Sequence, residues 1–244
     1  ACPFLMGSLA PTTEEQKKKM EDLCLTDIKF ESIQARSVQL LEEHMDVKIK
    51  SLVAGETGAA SCGGTLAAAS RLGIDAVDGD YCGRAVPEAI QTTPYLDDLP
   101  LWPMSCVDKY GNLSIIEECT SYGMAERLGK FIASASFGLA GETGFLFEAD
   151  KMTEVVVKGT FSKSLEVGKA IRVANENGEN PVNKIIDKIG GWRLFEGVIA
   201  EVETEDRDGY YWGETTLEGE GDFTGSTFKI WFQNENHISW IDDE

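Results

Sequence analysis

Hydrophobic positions along this chain fall into short blocks of helical and strand period, and the rhythm changes near residue 190. Ala1–Ser8, ACPFLMGS, is a short apolar run of the kind a buried strand carries. Pro11-Thr12-Thr13 supplies a turn and an N-cap, with Glu14 and Glu15 where the helix dipole favours acid, so a helix is expected from about Thr13 to Cys24. A second helix carries Ile33, Val38, Leu41 and Met45 opposite Glu42 and Glu43, with His44 at its surface. Val47–Ala54 alternates like a half-buried strand, and a glycine-rich loop, Gly55–Thr65, leads from it into a helix over Leu66–Leu72. Ile74–Val77 reads as another short strand. Further on, Leu101–Val107 and Leu113–Glu117 read as strands around the loop Asp108–Asn112. Ser121–Phe137 reads as a helix with Met124, Leu128, Phe131, Ile132 and Ala135 on its apolar face. Phe145–Ala149 and Val155–Val157 are expected strands, Ser162 caps a helix to about Asn175, and Pro181–Ile189 forms a short helix.

From Trp192 onward the text is alternating β residues broken by turns at Asp208-Gly209 and Gly219–Gly225, an antiparallel β unit. The pattern predicts an α/β fold, with a parallel or mixed sheet and flanking helices, followed by a smaller β-rich domain. The domain boundary is expected at 157/158. The last strand reaches Glu244 with an acidic, unpaired end, so the β-rich domain reads as incomplete and the chain as the middle of a longer protein.

Charge narrows the partners. Lys and Arg number 22 and Asp and Glu 42, a net charge of −20, which argues against nucleic acid or an anionic membrane as partner. No apolar run approaches the ~20 residues that span a bilayer. The six cysteines, Cys2, Cys24, Cys62, Cys82, Cys106 and Cys119, form no CxxC pair and read as reduced thiols of a cytoplasmic protein. With only His44 and His237, any metal site must rest on carboxylates, with room for one cysteine or histidine beside them. An open β edge on so acidic a chain predicts a homo-oligomer.

The chemistry concentrates in Ile74–Pro94, IDAVDGDYCGRAVPEAIQTTP. A strand there breaks into Asp78-Gly79-Asp80, and Gly79 and Gly83 bracket a turn that carries Asp78, Asp80 and Arg84, with Glu88 beyond. Two carboxylates two residues apart either share a proton or hold a divalent metal; the plainer reading has both capping backbone N–H groups with Arg84 bridging them. Arg84 can also hold a substrate's acid group. If the strands ending at Ala54 and Val77 are parallel neighbours, Glu56 joins this cluster. The glycine-rich loop lacks GxGxxG and GxxxxGK, so it either takes a carboxylate or ring amide, with no nucleotide or flavin expected, or serves only to let helix and strand pack closely. Asn234-Glu235-Asn236 offers two amides and a carboxylate suited to a cyclic amide; on a regular strand Glu235 would point away from the other two.

Val77-Asp78-Gly79-Asp80, Gly83-Arg84-Ala85 and Pro87-Glu88 resemble a sequence block of the S-methyl-thiohydantoin desulfurase-like proteins, which are encoded beside hydantoinases and oxoprolinases. The resemblance continues through Ala125-Glu126-Arg127-Leu128, Gly159-Thr160-Phe161-Ser162 and Phe232-Gln233-Asn234-Glu235-Asn236, in family order. The chain departs from the family at Ala59, where Glu56-Thr57-Gly58 would continue with a second glycine, and in lacking a glycine-rich N-terminal segment. The resemblance implies a small cyclic amide as substrate, a hydantoin or S-methyl thiohydantoin, and the residues themselves offer Asp78, Asp80 and Glu56 as catalytic groups for its hydrolysis and Asp78 and Asp80 as ligands of a divalent metal. Arg84, Glu88, Asn234, Glu235 and Asn236 would bind substrate. The competing role is a non-catalytic subunit that stabilises a hydantoinase or oxoprolinase partner.

Overall fold

Thr13 accepts the N–H of Gln16 while the Gln16 side chain accepts that of Thr13, a reciprocal cap that starts the first helix one residue after the sequence expectation. In order the elements are β1 (Cys2–Gly7), α1 (Glu14–Asp22), α2 (Ile33–Met45), β2 (Ser51–Ala54), α3 (Ala59–Leu72), β3 (Asp75–Asp80), α4 (Thr93–Leu96), β4 (Met104–Val107), β5 (Leu113–Ile116) and α5 (Tyr122–Ala135). There follow β6 (Leu139–Gly144), α6 (Ala149–Val155), β7 (Val157–Lys158), α7 (Thr160–Glu176), α8 (Pro181–Ile189), β8 (Gly197–Arg207), β9 (Tyr210–Gly219), β10 (Thr227–Gln233) and β11 (Glu235–Ile241). The computed structural model describes residues 1–7, 11–25, 27–242 and 244, so Ser8 of the opening strand lies outside the described residues.

The chain divides into two compact units, Ala1–Lys158 with Asp206–Tyr211, and Gly159–Glu205 with Trp212–Glu244. In the first unit β1-β6-β4-β5 form one antiparallel sheet and β2-β3-β7 a smaller mixed one. β2 and β3 run parallel, Ser51 opposite Asp75 and Leu52 opposite Ala76, with α3 as the connection between them. That is the neighbour relation expected for Ala54 and Val77. The other pairings of this unit are antiparallel, and β4 and β5 join through a short hairpin.

Strand alternation gives the large sheet two different faces. On one, Gly141 lets α2 approach so closely that a Cβ there would lie 2.6 Å from the Ile33 carbonyl carbon, and Thr143 hydrogen-bonds Ser37 at 2.7 Å. On the other, Glu142 faces Gly129 of α5. A core of Cys2, Val53, Tyr81, Leu101, Met104, Cys106, Ala125 and Phe145 fills this unit, and Val38, Ile49, Leu52, Ala68 and Ala69 form a second cluster.

Four expectations change. The loop expected through Thr65 is helical from Ala59: Gly64 sits within α3 because a Cβ there would fall 2.0 Å from the Gln34 side chain on α2. β3 continues through the anticipated Asp78–Asp80 turn, since Gly79 and Asp80 pair with β7 and a Cβ at Gly79 would meet Val156 at 2.6 Å. Phe145–Ala149 is no strand: β6 stops at Gly144, and Phe145, at φ 49°, turns its ring into an aromatic group with Tyr81 and Tyr122. Val155 likewise ends α6, leaving only Val157–Lys158 as strand.

α5 is turned the other way from its apolar stripe. Ala125, Glu126, Gly129, Lys130 and Ala133 are its buried residues, whereas Met124, Leu128 and Phe131 are 40%, 40% and 54% exposed. Small side chains let this face lie close to the sheet, and only Ile132 of the expected stripe packs on the core.

In the second unit α7 packs on α8, and β11-β10-β9-β8 form an antiparallel sheet in which Trp212 and Trp231 meet 5.6 Å apart. Asn234, at φ 58°, is the single turn residue between β10 and β11.

Candidate functional site

β3 brings Asp80 to its end fully buried, and three donors converge on its carboxylate. Oδ1 accepts the N–H groups of Cys82 at 2.6 Å and Gly83 at 2.5 Å, and Oδ2 accepts the Thr57 hydroxyl. Glu56 is engaged in the same way, Oε1 by the Ser61 hydroxyl at 2.6 Å and Oε2 by the Val86 N–H at 2.6 Å. Together with the Thr57 N–H on the Arg84 carbonyl, these bonds stitch the end of β2 to the loop after β3. Gly83, at φ 80°, makes that loop's tight turn.

Glu56 and Asp80 therefore lie in one hydrogen-bonded cluster, while Asp78, two residues back, is exposed. Arg84 donates from Nε to the Ala85 carbonyl at 2.8 Å. As a metal site the Asp78–Asp80 pair fits poorly, because the Asp80 oxygens already accept N–H and O–H donors. Among the described residues no group of three His, Cys, Asp or Glu side chains is placed to hold a metal ion. Asn234, Glu235 and Asn236 lie in the second unit, where a bulge at Trp231/Phe232 sets Phe232 opposite Asn236 and Gln233 opposite Glu235.

The stitched loop runs on to Glu88 and Ala89, and these reach α5. The Ala89 N–H donates to Glu126 Oε2 at 3.0 Å. Lys130, one helical turn on, holds its Nζ 3.6 Å from Glu126 Oε1 and 4.1 Å over the ring of Tyr210. The Tyr210 hydroxyl lies 3.4 Å from both Glu126 and Glu88. These groups line a cavity of ≈ 410 Å³ with Arg127, Phe131, Ser134 and Asp208 around it, and its volume suits a small ring ligand.

Burial decides the electrostatics here. Glu126 is 8% exposed, and its desolvation raises the carboxyl pKa above the usual range; the Glu88 charge adds to this, while Lys130, the Ala89 N–H and Tyr210 oppose it. Burial and the charges of Glu126 and Glu88 push the Tyr210 phenol up, so it stays a hydrogen-bond donor at neutral pH. A carboxyl whose proton affinity is raised by burial, flanked by an ammonium and a phenol, is equipped for general acid–base work on a polar ring.

Of this cavity the sequence singles out only Glu88 as a ligand-binding residue, and Glu126 enters only through the Ala125–Leu128 resemblance. The available signal was the row Ala125, Gly129 and Ala133. Small residues four apart mark the side of a helix that lies closest to its neighbour, and Glu126 and Lys130 share that side.

Two family models match, "S-Me-THD-like, N-terminal domain" over residues 1–118 and "S-Me-THD-like, C-terminal domain" over 120–244. The chain is similar in fold to an X-ray crystal structure of a structural-genomics target protein from Chromobacterium violaceum, with TM-score 0.70 and 16% identity. That likeness covers 98% of this chain and 62% of the other, so this chain spans under two thirds of its length. No curated protein matches the sequence.

Proposed function

Because the chain belongs to the S-methyl-thiohydantoin desulfurase-like family, we propose that it is a hydrolase of hydantoin-type rings, with the cavity beside Glu126 as its active site. The single observation that carries this reading is a buried carboxyl of raised proton affinity in the wall of an open cavity, beside a buried lysine.

In this reading a water molecule attacks the ring carbon that bears the S-methyl group, and Glu126, ionised, takes its proton. The new C–O bond forms, negative charge gathers on the ring nitrogen, and the Lys130 ammonium and Tyr210 hydroxyl stabilise it. The C–S bond then breaks, and the thiolate leaves with the proton held by Glu126. The products are methanethiol and the hydantoin. Glu56 and Asp80 hold the loop that delivers Glu88 and Ala89, and no step is routed through a metal.

Incubation of the protein with an S-methyl thiohydantoin, and separately with a hydantoin, tests the proposal. Release of methanethiol or opening of the ring is the expected result. No turnover of either ring, with co-purification of a hydantoinase or oxoprolinase, would overturn it and favour the partner-subunit role.

A further inference from the structure

Glu142 is fully buried on β6, and neither of its carboxylate oxygens has a hydrogen-bond partner among the described residues. An unsatisfied buried carboxyl is expensive, and nothing in the fold uses this one as a tie. Its surroundings are nonetheless shaped to it. A Cβ on Gly129 would lie 2.7 and 2.8 Å from its two oxygens, so the carboxyl fits against α5 only because that position is glycine.

The groups around it can be named strand by strand. On α5 the titratable neighbours are Glu126 and Lys130, and on β4 the facing residue is Cys106. On β1 the facing residue is Phe4, and α2 packs on the opposite face of the strand, where Ser37 meets Thr143. The Glu142 carboxyl thus sees one carboxyl and one ammonium, both of which line the cavity, and one thiol that does not.

We propose that Glu142 is the charge-balancing partner of Glu126: at neutral pH the two carboxyls carry one proton between them, and with Lys130 they form a neutral buried trio. One lysine can offset one carboxylate; a second, in a dry interior with only the weakly donating Cys106 thiol beside it, leaves an uncompensated buried anion. The proton on Glu142 therefore leaves Glu126 free to ionise against Lys130, which the general-base role requires. Loss of that proton in alkali would make the trio anionic and oppose the negative charge that builds on the ring during attack. The direction of the Glu142 shift agrees: burial, then the Glu126 charge, push its pKa up to about 8 against the pull of Cys106 and Lys130.

This inference rests on the Glu126 reading for its catalytic consequence and not for its protonation state, and the two parts separate experimentally. Infrared difference spectra of the protein between pH 6 and pH 10 read the proton directly. A protonated-carboxyl carbonyl band should be present at pH 7, fade with a midpoint near 8, and be missing in Glu142→Gln. Gly129→Ala, which drives a methyl group against the carboxyl, should shift the same band. A band unchanged by Glu142→Gln, or none in the wild type at pH 6, overturns the proposal whatever the activity. In turnover assays the wild type should lose about tenfold in rate per pH unit above the midpoint, and Glu142→Gln should abolish that alkaline loss. An alkaline limb that persists in Glu142→Gln while the band behaves as expected would overturn the coupling to Glu126 alone. Absence of turnover at every pH would overturn the catalytic reading and leave the band to decide the protonation.

Discussion

Asp80 and Glu126 are both less than a tenth exposed, yet their surroundings assign them different work. The Asp80 carboxylate is held by donors from its own loop and from Thr57, which is how an anchor is held. Asp80→Ala would leave two backbone N–H groups and a hydroxyl unpaired in a buried place, and a loss of about 3 kcal/mol is expected in urea denaturation. A variant within ~0.5 kcal/mol of the wild type would contradict the anchoring role. Asp108 is a second anchor: Oδ1 takes the N–H groups of Tyr110, Gly111 and Asn112 at 2.9 Å each, and Oδ2 takes Asn112 and Ser136 side chains. Burial opposes its charge, but the bonds from Asn112, Ser136 and Gly111 outweigh this and hold its pKa below the usual range. Its contribution to stability is therefore present above the unfolded pKa and lost as pH falls through the folded one.

Glu142 has the opposite sign. Its folded pKa lies above the unfolded value, so the native state holds the extra proton and stability falls as pH rises from about 4.5 to about 8, at up to ~1.4 kcal/mol per pH unit. In Glu142→Gln that slope should flatten, as urea midpoints across the window will show. Capping of backbone N–H groups by Asp80 was legible as the plainer reading of its turn, whereas the setting of Glu142 was not. Glu142 lies in LAGETG with no mark of burial, because only packing against Gly129 makes it an interior group.

At the scale of elements, period was legible and so was the cap at Thr13, while orientation was not, and Ser162, expected as a cap, lies inside α7, whose N-cap is Gly159. Ser121 caps α5 through the Met124 N–H, as the sequence suggested, and the helix ends within two residues of the expected place. Its inward face was misread because the hydrophobic stripe is the bulkier one, and the sheet accepts the side that permits the closest approach. Glycine misled in a similar way at Gly63-Gly64, which read as loop chemistry and instead lies within α3. Gly141 tests this close-packing account. Alanine there would drive its methyl group into the backbone at Ile33, and with no flexible side chain to give way a loss of about 1–3 kcal/mol is expected. Unchanged stability of Gly141→Ala would show that α2 does not depend on that approach.

For the whole molecule the broad class was legible: mixed α/β secondary structure, a β-rich C-terminal region, and no helix among the described residues long and apolar enough to cross a membrane. The first compact unit reaches Lys158, and the family models meet between residues 118 and 120, inside it. That Asp206–Tyr211 belongs to the first unit was beyond a linear reading, since a hairpin tip carries no signal of which core it joins. It is nevertheless the segment that supplies Tyr210 to the cavity. A net charge of −20 makes self-repulsion a property of the entire chain, so raising salt from about 20 to 300 mM should raise the melting temperature. A fall would mean that specific ion pairs, such as Lys151 with Asp97 and Glu154, outweigh it.

The central claim is that Glu126, and not the Glu56–Asp80 cluster, handles the proton in ring hydrolysis. The most direct measurement is the rate of methanethiol release from an S-methyl thiohydantoin by Glu126→Gln, taken with its melting curve. Glutamine keeps the shape and removes the carboxylate, so the account predicts a loss of about 10²–10⁴-fold in rate by a protein that still melts as a folded one. Turnover at the wild-type rate by a folded Glu126→Gln protein would contradict it.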